Sequence, residues 1–150
     1  MIQSNYINQR GLYMIIRNCA GGIVFHNDSV LLLKYDKHEW CFPKGVVRVG
    51  QKEKDIALER VKVEAGLDAE ILAPCSKTHY EFYSITRQKP IHNNVSWFVM
   101  KTDSDNVVYN KEADFIDGRF FSLDDAMNAV TYSQDKSLLM VAYQRYKELI

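Results

Sequence analysis

The sequence predicts a mixed α/β layer fold built as one domain over residues 1–150. The chain has 150 residues, of which 47% are hydrophobic, and this is enough for one sizeable core. Apolar, β-branched runs alternate with three helical segments, a pattern typical of sheets covered by helices. No low-complexity stretch, internal repeat or Pro/Gly linker divides the chain.

Composition narrows the functional class. The chain carries 19 Lys and Arg against 19 Asp and Glu, so its formal net charge is zero. Non-specific nucleic-acid binding needs a clustered positive surface, and we therefore expect none. No apolar run approaches the roughly 20 residues of a membrane span, and polar residues among the first ten interrupt any signal peptide. We read Cys19, Cys41 and Cys75 as reduced core thiols of a cytoplasmic protein, because they lack metal-ligand spacing.

The first half of the chain predicts two strands and a helix. The runs "YMIIRNCAGGIVF" (13–25) and "SVLLLKY" (29–35) flank three polar residues, which indicates strands joined by a tight turn. The segment "QKEKDIALERVKVEAG" (51–66) is rich in helix formers and ends at Gly66, a favourable helix stop. The first sixteen residues fit an edge strand or an oligomer contact equally well.

Two aromatic segments in the second half predict a long-looped hairpin. They are "THYEFYSI" (78–85) and "NVSWFVMKT" (94–102). The intervening "TRQKPIHNN" (86–94) is polar and is expected to form the loop.

Two helices are expected near the end of the chain. Ser122 and Asp125 can cap a short helix over 123–130. A last helix is expected to start at Thr131 or Ser133. Its apolar residues recur at helical spacing and predict a core face of Leu138, Ala142, Tyr146 and Leu149.

The segment from Gly45 to Leu67 resembles the signature of the Nudix hydrolases. That signature reads Gly, five residues, Glu, seven residues, then Arg-Glu-apolar-x-Glu-Glu-x-Gly-apolar, and it aligns here without a gap. The matching residues are Gly45, Gly50, Val61, Glu64, Gly66 and Leu67.

The acidic positions of this signature are mostly replaced. Gln51 stands for one Glu, and Glu59 stands for the Arg. Arg60 and Val63 stand for two further acids. Of the four carboxylates, Glu64 alone is at its own position, so the Nudix box is degenerate.

Sequence on both sides of the box extends the resemblance from Arg17 to the last helix. The spelling "FPKG" (42–45), preceded by Trp40, resembles the diadenosine polyphosphate hydrolase branch, and "EADFIDGRFFSLDDAMNAVTY" (112–132) resembles the segment that closes the Nudix fold. The resemblance implies a Nudix-type α/β/α sandwich with a mixed β-sheet. It also implies magnesium-dependent hydrolysis of a nucleoside diphosphate-linked compound, such as a dinucleoside polyphosphate.

The residues present predict impaired catalysis. Acids four residues apart on a helix share a face and could grip one ion, but here that pair is Arg60 and Glu64, which favours an internal ion pair. The resemblance implies that Glu64 is a metal ligand and that Glu112 is a second ligand or a base. Two carboxylates and substrate phosphates would hold one Mg²⁺ weakly.

The alternative is a catalytically inactive nucleotide-binding or sensing module. Lys44, Arg48 and Arg60 would form a metal-free anion cradle, since an arginine fork can bridge phosphate oxygens. Gly45 and Gly50 would let the backbone approach a diphosphate. A scaffold with a vestigial cleft is a third reading.

A nucleotide base would need an aromatic partner. Strand alternation places Tyr80 and Phe82 on one face, and His79, Glu81 and Tyr83 on the other. We select Tyr83 as the base-stacking residue, because a mixed face suits a pocket wall. The sequence specifies neither the base nor the oligomeric state.

Overall fold

A mixed, curled β-sheet forms the centre of the molecule in a computed structural model that describes residues 3–7 and 13–150, with residues 3–7 described by backbone alone. The sheet has eight strands within these ranges. They are β1 (Gln3–Ile7), β2 (Tyr13–His26), β3 (Ser29–Tyr35), β4 (Trp40–Cys41), β5 (Lys44–Val46), β6 (Glu70–Ser84), β7 (Lys89–Lys101) and β8 (Phe115–Ser122).

The strand order is β4-β3-β2-β7-β6, with β1 and β5 paired to β2 and β8 paired to β3. β2 and β7 run parallel, with Ile15 opposite Ile91 and Phe25 opposite Lys101. The other pairs of named strands are antiparallel. The sheet is therefore mixed, as the resemblance implied, and the N-terminal segment contributes strand β1 to it.

Helices cover both faces of this sheet. They are α1 (Glu53–Ala65), α2 (Leu123–Ala129) and α3 (Ser133–Leu149). We call the side that packs with α2 and α3 the α3 side; its core includes Phe25, Trp97 and Leu139. The opposite side, the α1 side, has a core that includes Val61 and Met100. The predicted α/β/α sandwich is confirmed.

The local signals at the helix ends are confirmed. Gly66 ends α1 in the left-handed conformation with φ of 70°, and its N–H donates to the Lys62 carbonyl. The Ser122 side chain accepts a hydrogen bond from the Asp125 N–H at the start of α2.

One part of the predicted core face of α3 is wrong. Leu138, Ala142 and Tyr146 are buried, but Leu149 is 47% exposed. Residues 147–150 are all exposed, so the helix runs past the surface that its middle turns cover. Helical spacing identifies the face that packs, but not where the neighbouring surface ends.

The predicted hairpin loop is also wrong. β6 begins at Glu70 and β7 at Lys89, and four residues, 85–88, connect them. Residues 86–88 of the expected loop do lie in this connection, but residues 89–94 belong to the central strand β7, where polar side chains find partners across the sheet. Buried Asn93, for example, accepts a hydrogen bond from Arg17 Nε at 2.9 Å.

The described part of the chain contains no helix whose length and apolar content would let it cross a bilayer.

The buried hydrogen bond from Trp97 Nε1 to Thr78 Oγ1, 2.9 Å long, yields a stability prediction. Thr78→Val keeps the side-chain shape but leaves the indole N–H without an acceptor, so we expect a loss of about 1–3 kcal/mol in the free energy of unfolding. Thr78→Ser is the control, because it keeps the hydroxyl. Urea unfolding of both variants measures the difference. Equal losses would show that the hydrogen bond contributes nothing.

Candidate functional site

Neighbouring residues of β5 point to opposite sides of the sheet. Lys44 pairs with Gly21 of β2, and Gly45 pairs with Ala20. A Cβ at Gly21 would lie 2.8 Å from Lys44 Cβ and 2.5 Å from Trp97 Cζ3, so this glycine makes room for Lys44 on the α3 side. Gly45 correspondingly faces the α1 side.

Arg60 and Glu64 form the ion pair that their spacing on α1 predicts. The Arg60 Nε–H donates to Glu64 Oε2 at 2.7 Å. The stem of Arg60 crosses Gly45, where an added Cβ would lie 2.6 Å from Arg60 Cδ. The first glycine of the signature thus makes room for this arginine.

Glu64 is a desolvated carboxylate with one unused oxygen. The residue is 2% exposed, and its buried Oε1 has no hydrogen-bond partner within the described ranges. Burial raises the pKa of Glu64, while the charge and hydrogen bond of Arg60 and the charge of Lys44 oppose this rise. Arg60 and Lys44 therefore offset only part of the cost of burying the ionised Glu64 carboxylate.

Lys44 is a half-buried cation whose ammonium bonds none of the described residues. Its Nζ lies 5.5 Å from the centroid of the Tyr80 ring. It makes no side-chain hydrogen bond or ion pair with the residues that the structure describes. Burial acts to lower the pKa of Lys44, but Tyr80, Tyr35, Cys41 and Glu64 together raise it above its ordinary value. The ammonium is therefore charged at neutral pH and available to an anion.

The loop that carries Glu112 is anchored to the end of α1. Glu112 lies in a 3-10 turn, Lys111–Ala113, and its N–H donates to Asn110 Oδ1 at 3.0 Å. The Asn110 N–H donates to the Glu64 carbonyl at 3.0 Å, and its Nδ2 donates to the Val63 carbonyl at 3.2 Å. The Glu112 residue itself is exposed. The two predicted metal ligands thus belong to segments that are tied together through the backbone.

Two predicted residues lie apart from this cluster. Arg48 is exposed, and its backbone N–H donates to Gln51 Oε1 at 2.9 Å. Tyr83 is 62% exposed on the α1 side, whereas Tyr80 faces Lys44 on the α3 side. The structure brings Arg60 and Glu64 into contact with each other and Lys44 within electrostatic reach of Glu64.

A resident magnesium ion does not fit this donor set. One oxygen of Glu64 is bonded to Arg60, and Lys44 adds a second positive charge nearby. Within residues 13–150, no three His, Cys, Asp or Glu side chains are placed to hold a metal. Glu64 Oε1 remains as one unshared oxygen, fewer than the ligands that Mg²⁺ requires.

The surroundings of Lys44 were missed by the sequence reasoning. Tyr80 was assigned a place on its strand, but alternation could not decide which face meets the site. Cys41 and Tyr35 gave no pattern at all. Burial raises the pKa of the Cys41 thiol to about 12, which disfavours the reactive thiolate form.

Comparison with known proteins finds one matching domain family and similar sequences. The model of the NUDIX domain matches residues 8–141. The bis(5'-nucleosyl)-tetraphosphatase [asymmetrical] of Caenorhabditis elegans is 29% identical over 127 residues, which covers 84% of this chain and 87% of that protein. The protein of the same name from Mus musculus is 25% identical over 107 residues, or 71% of each chain.

Solved structures show the same fold at low identity. A C. elegans Ap4A hydrolase binary complex has a TM-score of 0.68 at 22% identity, covering 88% of this chain and 98% of that one. The E. coli dihydroneopterin triphosphate pyrophosphohydrolase has a TM-score of 0.67 at 16% identity, covering 81% and 91%.

The Arg60–Glu64 pair yields a pH-dependent stability prediction. Burial raises the pKa of Glu64 in the folded state above its ordinary value of 4.5. The protonated side chain therefore contributes its full stability below pH 4.5, and this contribution is lost as the pH rises through the folded-state pKa. Arg60→Met removes the opposing charge and raises that pKa further. We expect a loss of about 1–3 kcal/mol in the free energy of unfolding at neutral pH, shrinking on acidification.

Urea unfolding of Arg60→Met at pH values on both sides of neutrality measures this effect. The double variant Arg60→Met, Glu64→Gln is the control, since it has no buried carboxylate and should show no such extra pH dependence. A deficit that is the same at every pH would rule out the electrostatic explanation.

Proposed function

Because this chain belongs to the NUDIX domain family, we propose that it binds a nucleoside diphosphate-linked compound, such as a dinucleoside polyphosphate, and hydrolyses it slowly. The relatives named asymmetrical bis(5'-nucleosyl)-tetraphosphatases support this substrate class. The single observation that carries the slow rate is the ion pair between Arg60 and Glu64. It engages the box carboxylate that remains at its own position.

Each candidate residue has a proposed role. Lys44 contacts phosphate, because its charged donors bond no described residue and lie beside the half-buried Tyr80 ring. Glu64 Oε1 and Glu112 are the oxygens available to a weakly held Mg²⁺ that arrives with the substrate's phosphates. When bound, such an ion would neutralise charge on the diphosphate. The chain's own residues bind and orient the phosphates.

For base stacking, the structure favours Tyr80 over Tyr83. The centroid of the Tyr80 ring lies 5.5 Å from Lys44 Nζ, whereas Tyr83 points away from Tyr80 on its strand and is 62% exposed. A ligand held by phosphate at Lys44 would therefore meet the Tyr80 ring first.

A second candidate function, a catalytically inactive nucleotide-binding or sensing module, is favoured by one detail of Arg60. Its Nε bonds Glu64, its side chain is 29% exposed, and its two Nη groups bond no described residue. The free end of the guanidinium could receive phosphate oxygens in place of a metal. Exposed Arg48 would assist from the neighbouring loop.

The cellular setting is also proposed. The three cysteines, Cys19, Cys41 and Cys75, are free, as suits a reducing compartment. We propose that the chain works in the cytoplasm as one NUDIX domain, with a small-molecule nucleotide as partner and with neither nucleic acid nor membrane as a stable partner.

Binding is tested with a non-hydrolysable dinucleoside tetraphosphate and thermal unfolding, with and without Mg²⁺. A ligand that binds the folded state raises the melting temperature by mass action. Lys44→Met should weaken binding about 10- to 100-fold through loss of a charged hydrogen bond. Lys54→Met, on the exposed surface of α1, is the matched control. Equal affinities of the two variants would exclude Lys44 as a phosphate contact.

Catalysis is tested by restoring the lost acids. Arg60→Glu with Val63→Glu returns two carboxylates to α1 beside Glu64, and we expect Mg²⁺-dependent hydrolysis to rise at least about tenfold, since each 1.4 kcal/mol of barrier is a factor of ten. Adding Glu64→Gln should abolish the gain. If the restored box shows no gain, the inactive binding module becomes the better description.

A further inference from the structure

A polar cluster lies on the α1 side of the β6–β7 pair, apart from the Nudix box. His79 is opposite Asn94, and Glu81 is opposite His92. Residues paired in this way share one face, so all four side chains meet on the same side. None of them has a role in the proposed nucleotide site.

Three atoms that can act as metal ligands lie close together in this cluster. His79 Nδ1 lies 2.5 Å from Asn94 Oδ1, and His92 Nε2 lies 2.9 Å from the same oxygen. The two imidazole centroids are 5.7 Å apart. Two ring nitrogens and one amide oxygen therefore surround one small volume at the surface of the sheet.

Glu81 contacts the ring nitrogen of His92 that does not face Asn94. His92 Nδ1 lies 2.9 Å from Glu81 Oε1, and with an ionised carboxylate the Nδ1–H donates the hydrogen bond. In a neutral imidazole this leaves a lone pair on Nε2 facing the acceptor-only Asn94 oxygen, and two such atoms 2.9 Å apart need a proton or a cation between them. A carboxylate that fixes the tautomer of a histidine is the usual outer partner of a histidine metal ligand.

We infer that His79 Nδ1, His92 Nε2 and Asn94 Oδ1 form a binding site for a borderline divalent transition-metal ion, with Glu81 orienting His92. Imidazole suits Zn²⁺, Ni²⁺ and Cu²⁺, whereas Mg²⁺ prefers oxygen ligands. With Zn–N bonds of about 2.0–2.1 Å, two imidazoles on one ion have centroids about 5 Å apart. The observed spacing requires only small side-chain shifts.

The site is open rather than closed. No three His, Cys, Asp or Glu ligands come together among residues 13–150, so the third protein donor here is an amide oxygen. The remaining positions are left to water or to an anionic group of an added ligand. His79 is exposed, which gives the ion direct access.

The other histidines provide matched controls. His26 Nδ1 lies 3.0 Å from the Thr102 carbonyl, and His38 is an exposed turn residue with φ of 66°. Among residues 13–150, neither of these two rings packs beside a second imidazole. Cys75, a free thiol, is a further control for metal uptake by sulfur.

The test is isothermal titration of Zn²⁺ and Ni²⁺ into the full chain in a buffer that contains excess Mg²⁺. We expect one site with a dissociation constant on the order of 10 μM, unaffected by Mg²⁺. His79→Ala and His92→Ala should weaken binding at least about tenfold, and Glu81→Gln about 10- to 100-fold. His26→Ala, His38→Ala and Cys75→Ser should leave it unchanged.

A second readout identifies the ligand atoms directly. Electron paramagnetic resonance of bound Cu²⁺ should show two nitrogen ligands in the parent protein and one in His79→Ala. His79 is exposed, so this variant keeps the test available if His92→Ala fails to fold. Absence of binding up to about 1 mM metal, or binding that survives both histidine substitutions, would overturn the proposal. It would then follow that a proton or a reversed Asn94 amide satisfies the cluster.

Discussion

The arrangement of the candidate site depends on the ion pair between Arg60 and Glu64. A carboxylate that is 2% exposed must have a positive partner, and here that partner is a side chain one helical turn away instead of an ion from solvent. The partner in turn needs space, which Gly45 supplies by having no side chain beneath the arginine stem. Glycine, arginine and glutamate therefore act as one unit, and a change at any of them alters the other two.

This unit also bears on which ligands the candidate site would favour. Two cations, Arg60 and Lys44, act on the carboxyl of Glu64, and Lys44 also acts on Asp135. The two cations attract phosphate and repel a free divalent cation. Under the proposed function, recognition and chemistry are separable: Lys44 and Arg60 would bind the phosphates, whereas three of the four acidic positions of the box carry other residues.

How much could be read from the sequence depends on how local each interaction is. The Gly66 stop, the Ser122 cap and the ion pair involve residues at most four apart, and helix geometry alone predicts them. The orientation of Tyr80 toward Lys44 depends on strand pairing between distant segments. The short strands β4 and β5, and the full length of β6 and β7, likewise have no periodic signal of their own. They exist because neighbouring strands offer them partners: β3 pairs with β4, β2 pairs with β5 and β7, and β7 pairs with β6.

The polar residues of β7 show that a candidate site formed by long-range strand pairing can go unrecognised in the sequence. Along the α1 side of this strand, Phe98 and Met100 pack with α1, whereas His92 and Asn94 lie farther along and are half-buried. Without a helix to cover them, these polar side chains contact Glu81 and His79 of the neighbouring strand β6. The part of β7 before Asn94 reads as a loop in the sequence, yet in the structure it is a strand that brings His92 beside Glu81 and Asn94. Long-range strand pairing, which leaves no local signal, is what creates this cluster.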